Sequence, residues 1–107
     1  MGIEGYKSVQ NYLDQMAEKP EEERRTKLEV LAEFCAFVER TPDQMVEEIF
    51  NVETRKYRKR GFYTERVQEF SEQIEGTWKI QTKRGNVVRG FFIANGRRLP
   101  TPKPPWM

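Results

Sequence analysis

The chain has 107 residues, of which 36% are hydrophobic and 34% charged, and its formal net charge is +2. This length fits one domain with a modest core and excludes two globular domains. The apolar residues are too sparse for a parallel sheet buried on both faces, so the composition favours a small helical bundle. Nothing in the sequence resembles a signal peptide or a membrane-spanning segment, and we expect a cytoplasmic protein.

The residue types present remove most kinds of catalytic and metal chemistry. There is no histidine, which is the usual general base and the commonest metal ligand. Cys35 is the single cysteine and lies on an apolar helix face, so we expect a core residue and not a nucleophile. A glycine-rich phosphate loop and a cysteine cluster are also missing. We therefore predict a non-enzymatic chain without a cofactor or metal.

The first 40 residues predict two helices. Apolar residues at positions i, i+3, i+4 and i+7 predict a first helix over residues 7–18: Val9, Tyr12, Leu13 and Met16. Pro20 suits the first turn of a second helix, and the acidic residues 21–23 suit its positive dipole end. This helix extends to about Arg40, with an apolar stripe formed by Leu28, Leu31, Cys35 and Val38.

The middle of the chain predicts two more helices. Thr41 provides an N-cap, Pro42 a first helical residue and Gln44 the second half of a capping box. This third helix should bury Met45, Val46, Ile49 and Phe50. A basic run over residues 55–60 leads into Gly61, where we expect a break or kink because glycine costs a helix about 1 kcal/mol relative to alanine. The spacing of the next apolar residues predicts a fourth helix: Tyr63, Val67, Phe70 and Ile74.

The last third of the chain has a charge composition of its own. Residues 77–107 contain seven of the 19 Lys and Arg residues and no Asp or Glu, so this part carries +7 and residues 1–76 carry −5. Such asymmetry points to a polyanionic partner. Thr77 predicts the N-cap of a final helix that runs to Asn95, with Gly96 as its left-handed stop. No run alternates as a strand should, so we predict an all-α bundle of four to five helices.

The two sides of this final helix differ in chemistry. Its core side should contain Ile80, Val87, Val88 and Phe91, with Trp78 and Phe92 on the flank. The opposite side combines cationic and hydrogen-bonding residues with a glycine that could admit a phosphate chain: Lys79, Thr82, Lys83, Asn86, Arg89 and Gly90. A solvated Lys/Arg face is the ordinary alternative, but such faces usually mix both signs of charge. In a DNA major groove we favour Asn86 over Gln81 for base reading.

The remaining residues predict a division of the chain. We assign residues 1–99 to the helical domain and residues 100–107, which are proline-rich, to an extended linker. A linker implies something beyond it, so we expect the natural protein to continue into a further domain.

Two segments resemble the core-binding, SAM-like N-terminal domain of tyrosine recombinases, the phage-integrase family, particularly its archaeal-type members. They are Leu31-x-x-Phe34-Cys35-x-Phe37-x-x-x-Thr41-Pro42-Asp43-x-Met45 and Val88-Arg89-Gly90-Phe91-Phe92-x-x-Asn95-Gly96-x-x-Leu99-Pro100. The likeness covers roughly residues 8–105 and includes no catalytic signature. It implies one jaw of a clamp around double-stranded DNA, with catalysis by a separate domain beyond the linker.

The resemblance also implies site residues, because the second and last long helices of this domain face the major groove in the family. It assigns to DNA binding Lys79, Thr82, Lys83, Asn86 and Arg89, and from the start of the second helix Arg24, Arg25 and Lys27. Glu29 and Glu33 depart from the pattern, since they would repel phosphates. Arg84 stands where the family commonly has a core aromatic residue, so we expect its stem to cover the core.

The sequence therefore predicts the DNA-binding domain of a site-specific recombinase, monomeric alone and oligomeric on DNA within a full-length enzyme. Two alternatives remain open. One is a helical module that docks an acidic protein, with anchors among Phe91, Phe92, Tyr57 and Trp106. The other is a stand-alone helix-turn-helix protein whose turn is formed by residues 75–77.

Overall fold

The computed structural model describes residues 3–99, which form a compact, mostly helical globule with five helices and a two-stranded hairpin. The helices are α1 (Lys7–Gln15), α2 (Glu21–Val38), α3 (Pro42–Ile49), α4 (Arg60–Glu72) and α5 (Trp78–Ala94). Strands β1 (Phe50–Asn51) and β2 (Lys56–Tyr57) pair antiparallel. The predicted helical bundle is confirmed. The linker assigned to residues 100–107 lies outside the described residues.

Local signals in the sequence set the helix ends as predicted. Thr41 accepts a hydrogen bond from the backbone N–H of Gln44, and the Gln44 side chain accepts one from Thr41, which completes the capping box of α3. Thr77 caps α5 by accepting from the backbone N–H of Ile80. Gly96 follows α5 with a φ of 68°, the left-handed conformation expected of a helix stop.

Helix α5 is the central element, since it packs against α1, α2 and α4. Phe91 and Phe92 are both fully buried. The Phe91 ring lies 5.9 Å from that of Tyr12 in α1, and the Phe92 ring lies 5.6 Å from that of Tyr63 in α4. Two neighbouring residues of one helix therefore join three helices in a single aromatic core.

Two apolar residues lie outside the core to which they were assigned. Ile80 is 48% exposed, although the helical wheel placed it on the core side of α5. Ile74 follows the end of α4 and is 36% exposed. Every residue from Glu72 to Ile80 is exposed, so the first turn of α5 lies at the edge of the core. The helical period predicts the side of the helix on which a side chain lies. The side chain is buried only if another element packs against that side.

The expectation that the chain contains no strand is wrong at residues 50–57. Asn51 Oδ1 accepts hydrogen bonds from the backbone N–H groups of Glu53 and Thr54, which turns the chain back and pairs Phe50 with Tyr57. Each strand has two residues, too few for alternation to be visible in the sequence. Gly61 does not break a helix, because α4 begins at Arg60 and includes it.

Cys35 is buried in the core, as predicted, with 8% of its surface exposed. Burial raises the pKa of its thiol to about 12, which disfavours the reactive thiolate.

Phe92→Ala should lower the free energy of unfolding by about 3–5 kcal/mol, because it leaves a cavity between α4 and α5. Ile93→Ala is the matched control, since Ile93 is 56% exposed and its truncation should change stability by less than about 0.5 kcal/mol. Urea unfolding followed by circular dichroism measures both, and equal losses would contradict the assigned core.

The carboxylate of Glu48 joins α3 to α4 and to Arg40, which follows the end of α2. It accepts hydrogen bonds from Arg40 Nε at 2.9 Å and Tyr63 Oη at 2.6 Å, and Lys59 Nζ lies 3.7 Å away. Burial by itself would raise the pKa of Glu48. The two hydrogen bonds and the charges of Lys59 and Arg40 outweigh burial, so the pKa lies below its ordinary value of 4.5.

A carboxylate with a lowered folded-state pKa stabilises the fold above its ordinary pKa and loses this effect as the pH falls through the lowered value. Glu48→Gln should therefore lower the free energy of unfolding by about 1 kcal/mol near pH 7. The difference from the wild type should shrink as the pH falls below 4.5. Urea unfolding at a series of pH values tests this, and a difference independent of pH would argue against it.

Candidate nucleic-acid interface

The residues predicted to bind DNA on α5 lie on its solvent side, and we call Lys79, Thr82, Lys83, Asn86 and Arg89 the α5 cationic stripe. Three of them are exposed, while Thr82 and Arg89 are half-buried. None of its three cations forms an ion pair with a described carboxylate. By contrast, Lys27 of α2 and Arg66 of α4 pair with glutamates of their own helices.

Arg89 is folded back along α5 and bonded to its neighbour in the stripe. A Cβ on Gly85 would lie 3.0 Å from Arg89 Nη1, so the guanidinium occupies the space that this glycine leaves. The same Nη1 donates to Asn86 Oδ1 at 2.8 Å. Burial lowers the pKa of Arg89 from its ordinary value. The missing side chain at position 85 therefore positions the arginine.

This bond changes what Asn86 can recognise. Reading adenine uses both the acceptor and the donor of the amide, and Arg89 already engages one lone pair of the acceptor. In this arrangement the pair presents N–H donors, which match phosphate oxygens.

Helix α2 contributes fewer of its predicted residues to this surface. A groove of about 600 Å³ between α2 and α5 joins Lys27 to Lys83 and Asn86, and its α2 wall also contains Glu22 and Glu23. Arg24 and Arg25 line a different groove, together with Leu28 of α2 and Leu13 of α1. The structure thus brings one of the three predicted α2 cations to the stripe.

Arg84 lies over the core, as expected, and also neutralises one acid of α2. Its guanidinium carbon is 3.8 Å from the centre of the Phe70 ring, and its Nε donates to the Phe70 carbonyl oxygen at 3.2 Å. Its Nη1 is 3.1 Å from Glu33 Oε1. The repulsion expected between Glu33 and a phosphate chain is therefore reduced by an internal cation.

Gly90 does not open α5 to a phosphate chain, contrary to the expectation from the helical wheel. A Cβ at this position would lie 3.3 Å from Tyr12 Oη of α1. Tyr12 Oη also donates to the Val87 carbonyl oxygen at 2.8 Å. Helix α1 thus covers this part of α5, which a wheel of α5 alone cannot show.

One exposed residue beside the stripe was missed in the sequence. Ile93 is 56% exposed and lies one turn beyond Arg89 on the same side of α5. The same helical wheel contained this signal, since Ile93 falls between Asn86 and Thr82 in projection.

The structure also bears on the two alternatives. Phe91 and Phe92 are fully buried, so they are wrong as interface anchors, whereas Tyr57 is 49% exposed. Trp106 lies outside the described residues. The connection between α4 and α5 spans residues 73–77, longer than the three- or four-residue turn of a helix-turn-helix.

Residues 3–99 offer neither a metal site nor a membrane-spanning helix. They contain no group of three or more His, Cys, Asp and Glu residues arranged to hold a metal ion. No helix within this part of the chain has the length and apolar character needed to cross a membrane.

Fold and site together define a compact, mostly helical domain with a cationic stripe on its central helix. No model of a known protein family matches the chain, and neither a curated protein nor a solved structure matches it at a significant level. The likeness to recombinase core-binding domains therefore rests on the residue patterns quoted above.

Two glycines of α5 should respond to alanine with opposite signs. Gly85→Ala should raise the free energy of unfolding by up to about 1 kcal/mol, because alanine favours the helix and the flexible Arg89 tip can move away. Gly90→Ala should lower it by about 1 kcal/mol, because the added methyl group displaces Tyr12 from its hydrogen bond and packing. Urea unfolding compares the two variants, and a loss in both would show that Arg89 cannot leave its position over Gly85.

Proposed function

We propose that this chain is the DNA-binding domain of a site-specific tyrosine recombinase or integrase, which holds duplex DNA through α5 and performs no catalysis itself. The observation that carries the proposal is the α5 cationic stripe. Its cations form no ion pair with a described carboxylate, and Lys79, Lys83 and Asn86 are exposed on one side of the central helix. A helix with such a face fits the major groove of DNA.

The arrangement of donors supports backbone contact as the main source of affinity. Lys79 and Lys83 are exposed point charges one turn apart, and the bonded pair of Asn86 and Arg89 adds N–H donors in the next turn. Contacts of this kind position a helix on DNA without reading sequence. A base read by Asn86 would share the amide oxygen with Arg89.

The acidic residues of α2 limit how the duplex can lie. Glu22 and Glu23 line the same groove as Lys83, so a phosphate chain is attracted to the α5 side of the groove and repelled from much of the α2 side. Lys27 is the α2 residue best placed to help. In this orientation α5 contributes most of the interface.

The proposed partner is double-stranded DNA, bound by a monomer when the domain is alone and by an oligomer within a full-length cytoplasmic recombinase. Affinity of the domain alone should be micromolar or weaker and sensitive to salt, because few phosphates are contacted. A second DNA-binding domain in the same chain would raise it through effective concentration.

A second candidate function is favoured by the exposed apolar corner at the start of α5. Ile74, Trp78 and Ile80 are 36%, 45% and 48% exposed, next to the unpaired Lys79. Apolar surface beside a cation suits an acidic protein partner. Replacing Ile80 with a polar residue would weaken that interaction and leave nonspecific binding to DNA nearly unchanged.

The experiment that tests the DNA proposal is fluorescence anisotropy of a labelled duplex across a salt series. Lys79→Ala combined with Lys83→Ala should reduce the slope of log affinity against log salt by about two and leave the helix content unchanged. The matched control is Lys7→Ala with Lys19→Ala, which removes the same charge from exposed positions outside the stripe. If both double variants bind equally well, the assignment of the stripe is wrong.

A further inference from the structure

The hairpin between α3 and α4 is a second basic element, and we call residues 50–60 the basic hairpin. Five of the six residues from Arg55 to Arg60 are Lys or Arg. The backbone N–H of Arg58 donates to the Ile49 carbonyl oxygen at 2.6 Å, and that of Arg55 donates to the Asn51 carbonyl oxygen at 2.7 Å. The run is therefore held against the end of α3 by backbone hydrogen bonds.

The cations at its outer edge are open to solvent. Arg55, Lys56 and Arg58 are exposed, and none of them forms an ion pair with a carboxylate of residues 3–99. The nearby carboxylate of Glu48 is already bonded to Arg40 and Tyr63. The charge of this edge is therefore uncompensated within the described chain.

The inner cations of the same region have a different role. The guanidinium carbon of Arg60 lies 4.6 Å from the centre of the Tyr57 ring, and that of Arg97 lies 4.9 Å from the centre of the Phe50 ring. The two rings contact each other edge to face at 4.9 Å. Arg60 Nη2 also donates to the Arg98 carbonyl oxygen at 3.0 Å, which ties the hairpin to the end of α5. These contacts make the hairpin a rigid support for the outer cations.

The backbone conformation of the run is unfavourable for the residues that occupy it. Arg55 has a φ of 56° and Lys59 a φ of 57°, the left-handed region in which glycine or asparagine would be more stable. Glycine at position 55 would therefore fit the backbone of the turn without strain.

We infer that the basic hairpin is a second nucleic-acid contact, which binds the phosphate backbone of duplex DNA through Arg55, Lys56 and Arg58. Arginine suits phosphate because its planar guanidinium donates two hydrogen bonds at once. Tyr57 is in contact with Arg60 and Phe50, so the hairpin offers cations more than an open surface for stacking unpaired bases. The hairpin does not depend on the α5 cationic stripe.

The position of the hairpin separates it from the stripe. It lies near Arg97 and Arg98, after the end of α5, whereas the stripe begins at Lys79 in the first turn. At about 1.5 Å per residue, the distance along α5 from Lys79 to Ala94 is about 22 Å. Lys79 and the hairpin therefore contact different phosphates, whereas Arg89 of the stripe lies about 8 Å before Ala94 along α5.

An anionic membrane is the other surface that basic segments bind, and the turn of the hairpin argues against it. The turn contains Val52, which is 71% exposed, but Glu53 follows directly and is exposed as well. A carboxylate at the tip opposes insertion of Val52 into the apolar part of a bilayer, a step that binding to duplex DNA does not require.

The test compares four versions of the 107-residue chain. They are the wild type, Arg55→Gly with Arg58→Ala, Lys79→Ala with Lys83→Ala, and Lys7→Ala with Lys19→Ala. Each double variant removes two cations. Binding to a labelled duplex of random sequence is measured by anisotropy across a salt series, and binding to phosphatidylserine vesicles by sedimentation. Thermal unfolding is recorded for each protein, and Arg55→Gly should keep or raise the midpoint because it relieves backbone strain.

We expect the hairpin variant to lose duplex affinity at least tenfold at about 0.1 M salt and to lower the salt slope by about two, with little change in the Lys7 and Lys19 control. A folded hairpin variant that binds like the wild type would overturn the inference, as would binding of the wild type to vesicles and not to the duplex. If only the hairpin variant loses affinity, the inference stands and the stripe is wrong. If only the Lys79 and Lys83 variant loses duplex affinity, the inference about the hairpin is overturned and the assignment of the stripe is supported.

Discussion

Burial of the C-terminal half of α5 is the constraint on which the rest of the structure depends. Phe91 and Phe92 contact rings of α1 and α4, so three helices lose their shared core if either residue is truncated. Because other helices cover most of this half of α5, its exposed surface is confined to the first half and to one side. The α5 cationic stripe is therefore located by aromatic packing elsewhere on the same helix, and its charges lie on a support that cannot rotate.

The cations of this protein fall into two groups, those that pair with a glutamate and those that do not. Arg84, Arg40 and Lys59 are used internally, each bonded to a glutamate that would otherwise carry uncompensated negative charge. The cations of the stripe and of the outer edge of the basic hairpin form no ion pair with a carboxylate of the described residues. Two surfaces of uncompensated positive charge on one small domain suit a partner with many phosphates along its length, which duplex DNA provides.

Prediction from the sequence succeeded where a signal is local and failed where it depends on a neighbour. The capping box at Thr41 and the cap at Thr77 were correct because both partners of each hydrogen bond lie within three residues. Ile80 was misplaced because it lies in the exposed first turn of α5, and Gly90 because α1 covers it. The hairpin at residues 50–57 was missed, since two-residue strands have no period to detect.

The sequence by itself determined the helices, their caps, the buried Cys35 and the side of α5 on which its cations lie, because helical period and capping are properties of short segments. Tertiary structure alone decided which of those cations meet. It brought Lys27 to Lys83 and turned Arg24 and Arg25 into another groove. The reason is that contacts between helices depend on how whole helices pack, which a periodic pattern in one helix does not encode.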